Sequence, residues 1–520
     1  MRGMYRTGHA DAVVRKRPVP SVVPGAVPAG RAPADRPLTR DDLMTETQLH
    51  RPGAPAAAPP AGASPAPRGG RWIDEYTPED PAFWASPQGK PVARRNLVWS
   101  VLAENIGFSV WQMFSVATAV LASIGYGFTS DQLFWLVATA GLVGAIMRVP
   151  YTFMPALLGG RNWTVVSAAL LLVPVTMLVI AATTGQPYWF WVLTAITCGF
   201  GGGNFASSMA NISFFYPDKE KGFALGLNAA GGNIGVAIIQ LVGPLAVTAG
   251  TIAVIGGATG TTEGGDARYV QNVALIWVPF IVLAVVGAWF GMNNLSGAKA
   301  NIADQAAIAR RKQTWIMSFL YIGAFGSFIG FSGAFPLVLA NEFAADTYRY
   351  AFLGPLVGSL SRPFGGWLAD RVGGAKVTIV TFIGQAVAIG AAIAALGAGS
   401  FGGFLASFLV LFAVVGMTNG STYRMIPIIY RAEAAAAHSA DTPAQVLYRA
   451  RRDTAAAVGI ISAVGALGAV FIPRIVSESY LATGSVVTAL GAFCGFYIAC
   501  VAVTWAVYLR RGTLMQQAGV

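Results

Sequence analysis

From Asn96 to the C-terminus, apolar stretches of about 20 to 28 residues alternate with short polar loops. A run of that length crosses roughly 30 Å of hydrocarbon as a helix. The pattern predicts twelve spans, at 97–124, 132–158, 163–183, 188–215, 222–250, 271–292, 314–340, 348–370, 376–398, 402–429, 454–476 and 485–509. Backbone groups find no water in lipid, so only helices and closed barrels can span it. The runs are apolar throughout and do not alternate residue by residue, which selects the helix over the barrel strand. The expected fold is an all-α membrane protein of twelve transmembrane helices.

Twelve helices can form one bundle or two related halves, and an internal repeat decides between them. Arg148 in the second span is followed eleven residues later by Gly159-Gly160, and Arg362 in the eighth is followed eleven residues later by Gly373-Gly374. The two copies lie 214 residues apart. Gly-Gly-Gly-Asn204 in the fourth span has a counterpart in Gly416-Met-Thr-Asn419 of the tenth, at an offset of 215. Two unrelated features sharing nearly one offset imply two pseudo-symmetric six-helix halves. The expected domains are a tail at 1–90, an N-terminal half at 91–292, a polar linker at 293–313 and a C-terminal half at 314–520.

Composition supports the membrane reading. The chain is 55% hydrophobic and 11% charged, less than half the charge that a water-facing surface of a soluble protein carries. Three cysteines among 520 residues exclude a disulfide-stapled scaffold. The net charge of +12 lies mostly in the tail and the loops, so it implies no nucleic-acid partner. Sixteen of the 29 prolines precede residue 97, in runs such as Arg51 to Pro60. Such a segment cannot bury enough apolar surface to offset its ordering entropy, so residues 1–90 are expected to be a disordered tail. It has no apolar h-region and does not read as a cleaved signal peptide. Met4 and Met44 offer alternative starts. Loops on the side of the N-terminus carry Arg161, Lys219, Lys221, Lys299, Arg310, Arg311, Lys312, Arg371, Lys376, Arg431, Arg449, Arg451 and Arg452, whereas the opposite loops offer chiefly Arg268 and Arg349. By the positive-inside bias both termini are expected in the cytoplasm, in the inner membrane.

Charges within the spans are few. Glu104, Arg148 and Arg362 lie deep, with Arg424 and Arg474 nearer the ends. An arginine at a helix centre costs at least about 2.5 to 3.5 kcal/mol and normally faces a bundle interior. Arg148 precedes Pro150 and could instead snorkel, but a two-fold axis would bring Arg148 and Arg362 together across a central cavity. Like charges held close need something negative between them, and the guanidinium fork suits a small planar oxyanion. Glycine is abundant, with 62 residues, and its spacing in Gly222–Gly235 and Gly459–Gly468 lets helices approach and slide. Asn204, Asn228 and Asn233 stand in apolar surroundings, where an amide needs a partner. The string Gly365-Gly-Trp-Leu-Ala-Asp370-Arg371-Val-Gly-Gly-Ala-Lys376 resembles the loop signature of the major facilitator superfamily. There an acidic and a basic residue, here Asp370 and Arg371, form a cytoplasmic charge clamp. The copy at Pro155–Arg161 lacks the acid.

The string Phe200-Gly-Gly-Gly-Asn-Phe-Ala-Ser-Ser-Met-Ala-Asn-Ile-Ser-Phe-Phe-Tyr-Pro217, with Gly222–Asn228 and Gly232–Val236 after it, resembles the nitrate/nitrite porter family of that superfamily. The likeness continues in Arg148–Phe153, Phe325–Ser332, Tyr423–Pro427 and Gly465–Pro473. It covers nearly everything from residue 95 onward, but not the tail. It implies the major facilitator fold and a substrate site in which Arg148 and Arg362 neutralise the anion and Phe205 and Phe325 sandwich it. Tyr321 and Asn233 would then donate hydrogen bonds, while the Gly468 backbone lies close to the substrate path. Glu104 departs from the expected apolar residue. It either titrates with transport or pairs with an arginine.

The expected function is therefore transport of nitrate and nitrite by alternating access. His9, His50 and His438 lie outside the spans. Two permanently charged arginines are most simply reset by a returning anion, which favours nitrate/nitrite antiport. Proton-coupled nitrate symport through Glu104 is the alternative, and a membrane nitrate sensor with a signalling tail is the alternative from another class. No metal cluster, nucleophile triad or phosphate loop points to an enzyme. No cofactor is implied, and the chain is expected to act as a monomer in the lipid bilayer.

Overall fold

The computed structural model describes residues 71–250, 255–298, 307–437 and 442–520. Residues 1–70 with His9 and His50, and also Lys299 and His438, lie outside the described residues. Twelve long helical segments follow one another: α1 (Lys90–Ser123), α2 (Ser130–Leu158), α3 (Gly160–Thr184), α4 (Tyr188–Phe215), α5 (Asp218–Ala246), α6 (Asn272–Gly291), α7 (Lys312–Glu342), α8 (Leu353–Val372), α9 (Gly374–Gly397), α10 (Phe401–Ala437), α11 (Gln445–Thr483) and α12 (Val487–Leu509). Ten are long and apolar enough to cross a membrane by length and composition alone. The other two, α4 and α8, are diluted by the polar and charged residues that the centre of the bundle needs, Asn204 and Ser208 on one and Arg362 on the other.

Burial sorts the helices. The apolar stretches of α1 and α7 are 89% and 94% enclosed, against 33% for α9 and α12. Side chains such as Phe290, Val380, Val387 and Ile498 therefore point outward, each more than half exposed. In water that surface would cost about 25 cal/mol per Å²; facing lipid it costs nothing of the kind. The twelve helices make a multi-pass membrane protein with α1 and α7 at its centre.

The repeat is visible in the backbone. Helix α2 ends on Gly159 (φ 88°, ψ 143°) and α8 on Gly373 (φ 100°, ψ 136°), twin caps in a region that only glycine enters readily. Gly202 of α4 packs on the backbone of Gly144 in α2, and Gly416 of α10 packs on the backbone of Gly358 in α8. Each member of the second pair lies 214 residues beyond its counterpart. Three central helices break near their middles. Helix α1 turns at Gln112, α11 at Leu467, and α7 passes through a π-helical turn at Ile322–Gly326.

Residues 71–89 correct the expected tail. Trp72 and Ile73 pair in parallel with Asn294 and Leu295 of the linker. The Tyr76 hydroxyl donates to the Phe215 carbonyl at 3.2 Å, and Trp84 Nε1 donates to Glu220 at 2.9 Å. Lys90 reaches the same carboxylate at 3.0 Å. The physical reason is aromatic: Tyr76 and Trp84 pack edge-on against Phe215 and Tyr216 at 5.4 and 5.6 Å, and this burial offsets the entropy of ordering the segment. Truncation through residue 89 is thus expected to lower the melting temperature of the purified protein by several degrees relative to truncation through residue 70. Equal melting curves would show that the strap contributes nothing.

Candidate functional site

Helix α4 can reach the centre because its glycines remove side chains. Gly201 packs on the carbonyl of Gly107 in α1, Gly202 lies against Trp111 and Gly203 against the ring of Tyr151. These contacts hold the next turn, with Phe205, against α1 and α2. On the other side, Gly465 and Gly468 of α11 press on Tyr321 and on the Gly326 backbone. That contact flanks the π-helical turn, which carries Phe325. A π turn adds a residue to the helical ring and re-aims the side chains around it; Tyr321 and Phe325 stack at 5.8 Å and 16°.

The two halves meet at an aromatic pair. Phe205 from α4 and Phe325 from α7 stack with centroids 6.0 Å apart and planes 25° apart. Arg148 is fully buried, with its guanidinium carbon 4.6 Å from the Phe205 centroid and 4.5 Å from that of Phe325. Trp111 is 5.5 Å away on a third side. The guanidinium does not snorkel. Its Nη1 donates to the Ser462 carbonyl of the opposite half at 3.2 Å, leaving Nε and Nη2 without partners. Arg362 lies over the Tyr423 ring at 5.7 Å, and its Nη1 is likewise unpartnered. The two arginines are close enough for their charges to interact, and Tyr321 feels both. The Tyr321 hydroxyl and both amide atoms of buried Asn233 have no hydrogen-bond partner. Buried polar groups normally find one; here Arg148, Arg362 and Tyr321 keep spare donors at the centre of the bundle.

Gly468 packs on the backbone of Gly326 in α7, so it sets the distance between α11 and α7 beneath Phe325. Glu104 differs from the arginine pairing allowed for it. Among the described residues no basic nitrogen comes within ion-pair distance; the carboxylate accepts hydrogen bonds from Ser208 Oγ and Asn228 Nδ2. The clamp expected from Asp370 and Arg371 closes through another residue, because neighbours on a helix point about 100° apart. Asp370 accepts from Nε of Arg424 on α10 at 2.6 Å, and Arg371 instead stacks on Trp367 at 4.1 Å.

Ion pairs also join the halves at both faces. Asp131 of α2 accepts from Arg474 at 2.6 Å and Ser477 at 2.7 Å on α11, and Asp218 of α5 pairs with Arg451 of α11 at the opposite face. Reading along the chain missed both latches and the orphaned Asn419, whose amide is buried in α10. The repeat with Asn204 was the one signal for Asn419.

Two six-helix halves around a buried, positively charged centre define a secondary transporter fold. Residues 101–442 match the Major Facilitator Superfamily. Solved structures agree on the fold: the partially occluded inward-open xylose transporter XylE from E. coli has a TM-score of 0.57 at 13% identity, covering 80% of this chain and 99% of its own. Among curated relatives, the nitrate/nitrite transporters NarU of Salmonella typhimurium and Escherichia coli are 43% and 42% identical, each covering 84% of this chain and 96% of its own length. The probable nitrate/nitrite antiporter NarK2 of Thermus thermophilus is 35% identical over 85% of this chain and 98% of its own. The chain belongs to the nitrate/nitrite porter family of the major facilitator superfamily.

Proposed function

We propose that this protein carries nitrate and nitrite across the inner membrane by alternating access, exchanging one anion for the other on a single site, with both termini in the cytoplasm. The observation that carries this reading is the guanidinium of Arg148 resting on two aromatic rings from opposite halves, with the spare donors of Arg362 and Tyr321 close enough to interact with it. Aromatic faces admit a flat ion and exclude a tetrahedral one. A planar ion with a 3.5 Å contact on each face needs rings about 7 Å apart, more than the 6.0 Å between Phe205 and Phe325. Binding therefore parts the rings by about an ångström, and because each ring belongs to a different half, it shifts one half against the other. Nitrate and nitrite leave the same charge behind, so exchange needs no further group. The excess of Lys and Arg in loops on the N-terminal side supports the orientation.

Labelled-nitrate exchange in liposomes is expected to be blocked by nitrite and untouched by an equal concentration of sulfate. Phe325→Ala should weaken nitrate affinity roughly tenfold, because the Arg148 guanidinium loses one of the ring faces that hold it. Sulfate inhibition equal to that of nitrite would overturn the flat clamp.

A further inference from the structure

Three arginines at one end of the N-terminal half have no task in anion exchange. Arg71 begins the strap, Arg95 lies near the start of α1 and Arg161 lies on the first turn of α3. Asn293 and Asn294, just past the end of α6, tie them together. The Asn294 N–H donates to the Arg71 carbonyl at 2.9 Å, and its Oδ1 accepts from the Asn162 N–H at 3.2 Å. Asn293 Oδ1 accepts from Arg95 Nη2 at 2.8 Å. Asn294 is fully buried, and its Nδ2 has no partner.

Arg161 is the fixed point of the group. Its guanidinium lies 4.1 Å over the Trp289 ring. Its Nε donates to the Trp289 carbonyl at 2.8 Å and its Nη1 to Asn162 Oδ1 at 3.4 Å, so the fork is held in one orientation before any ligand arrives. Arg71 is close enough for its charge to act on that of Arg161. No carboxylate answers these charges: among the described residues none of the three guanidiniums is in an ion pair. Asp74, the nearest acid in sequence to Arg71, accepts from Ser296 at 2.7 Å. Elsewhere on this face basic side chains do find acids, as Lys90 finds Glu220, Lys221 and Arg451 find Asp218, and Arg311 finds Asp453.

The surroundings point to what neutralises them. Trp289 and Phe290 at the end of α6 are 47% and 64% exposed, which puts the cluster where hydrocarbon gives way to headgroups, the level that tryptophan prefers. The abundant anion at that level is the phosphodiester of an acidic phospholipid, and a guanidinium fork meets two of its oxygens at once. We propose that Arg161, Arg71 and Arg95 hold the headgroup of an anionic phospholipid whose acyl chains run along Trp289 and Phe290. Arg161 supplies the pre-organised fork, and Arg71 and Arg95 supply the added charge. Because Arg71 belongs to the strap and Asn293 to the linker, the bound lipid fastens both to α3 and α6. The site is separate from Arg148 and Arg362 and does not depend on nitrate.

The test uses delipidated full-length protein in a neutral detergent, titrated with phosphatidylglycerol, phosphatidylcholine or inorganic phosphate. Native mass spectrometry reads the lipid retained, and a melting curve reads the stabilisation. Phosphatidylglycerol is expected to be retained and to raise the melting temperature by several degrees, whereas phosphatidylcholine and phosphate do neither. Arg161→Gln combined with Arg71→Gln should cut phosphatidylglycerol retention at least tenfold, because charge-assisted contacts are lost. Arg431→Gln, a basic residue on the same face outside the cluster, should retain the lipid as wild type does. Equal retention of phosphatidylcholine, or undiminished retention of phosphatidylglycerol by the double variant, overturns the site. Stabilisation by inorganic phosphate equal to that by phosphatidylglycerol overturns the lipid as its occupant. Should the double variant not fold, Arg95→Gln on an exposed side chain decides: retention is expected to fall about threefold, and unchanged retention contradicts the proposal.

Discussion

Arg148→Lys is expected to reduce nitrate transport at least a hundredfold although the charge is kept. The guanidinium is flat and rests within 4.6 Å of both ring centroids, a stacking that a compact ammonium cannot reproduce. It also holds Ser462 with one nitrogen while two others stay spare, a fork that spans two halves and a ligand at once. Each charge-assisted hydrogen bond contributes about 1.5 to 3 kcal/mol. Losing two costs roughly 3 kcal/mol or more, which is a hundredfold in affinity or beyond. Arg362→Lys should fall as far, since its spare Nη1 is part of a planar fork over Tyr423. Transport rates in liposomes at matched protein levels give the answer, and normal uptake by either variant would sink the two-arginine site.

The second large effect is expected at a residue that carries no charge. In Gly468→Ala the added methyl would be driven into the Gly326 backbone, and backbone cannot swing aside as a side chain can. Overpacking of this kind costs about 1 to 3 kcal/mol. Helix α11 would be forced off the π turn that aims Phe325, so transport should be lost and the melting temperature should drop by several degrees. Gly226→Ala is the control: it lies on an exposed stretch of α5 with nothing within 4 Å of the new atom, and should be tolerated. Equal behaviour of the two variants would contradict the role given to the α7–α11 contact.

These contacts mark the boundary of what the chain reveals when read along its length. Twelve spans were legible because lipid imposes one requirement, a long apolar run, on every helix it touches. Arg148 and Arg362 were legible because a charge in such a run is costly and the repeat placed both at one depth. The π turn at Ile322–Gly326 was not, since it lies beside close contacts with α11 more than a hundred residues away. Nor was the strap at 71–89, where proline-rich composition masked the anchors Tyr76 and Trp84. Partner choice was the hardest to read. Asp370 takes Arg424 over its neighbour Arg371, and Glu104 takes Ser208 and Asn228 over either arginine. Such choices are made by helix faces in space, and adjacency in sequence does not report them.

The most direct test of a single site serving both anions follows labelled nitrate entering liposomes at alkaline pH without a proton gradient, with nitrite inside or absent. Influx is predicted to rise at least tenfold when nitrite waits on the far side and to vanish in Arg148→Lys under both conditions. Influx that ignores internal nitrite and persists in Arg148→Lys would contradict the account.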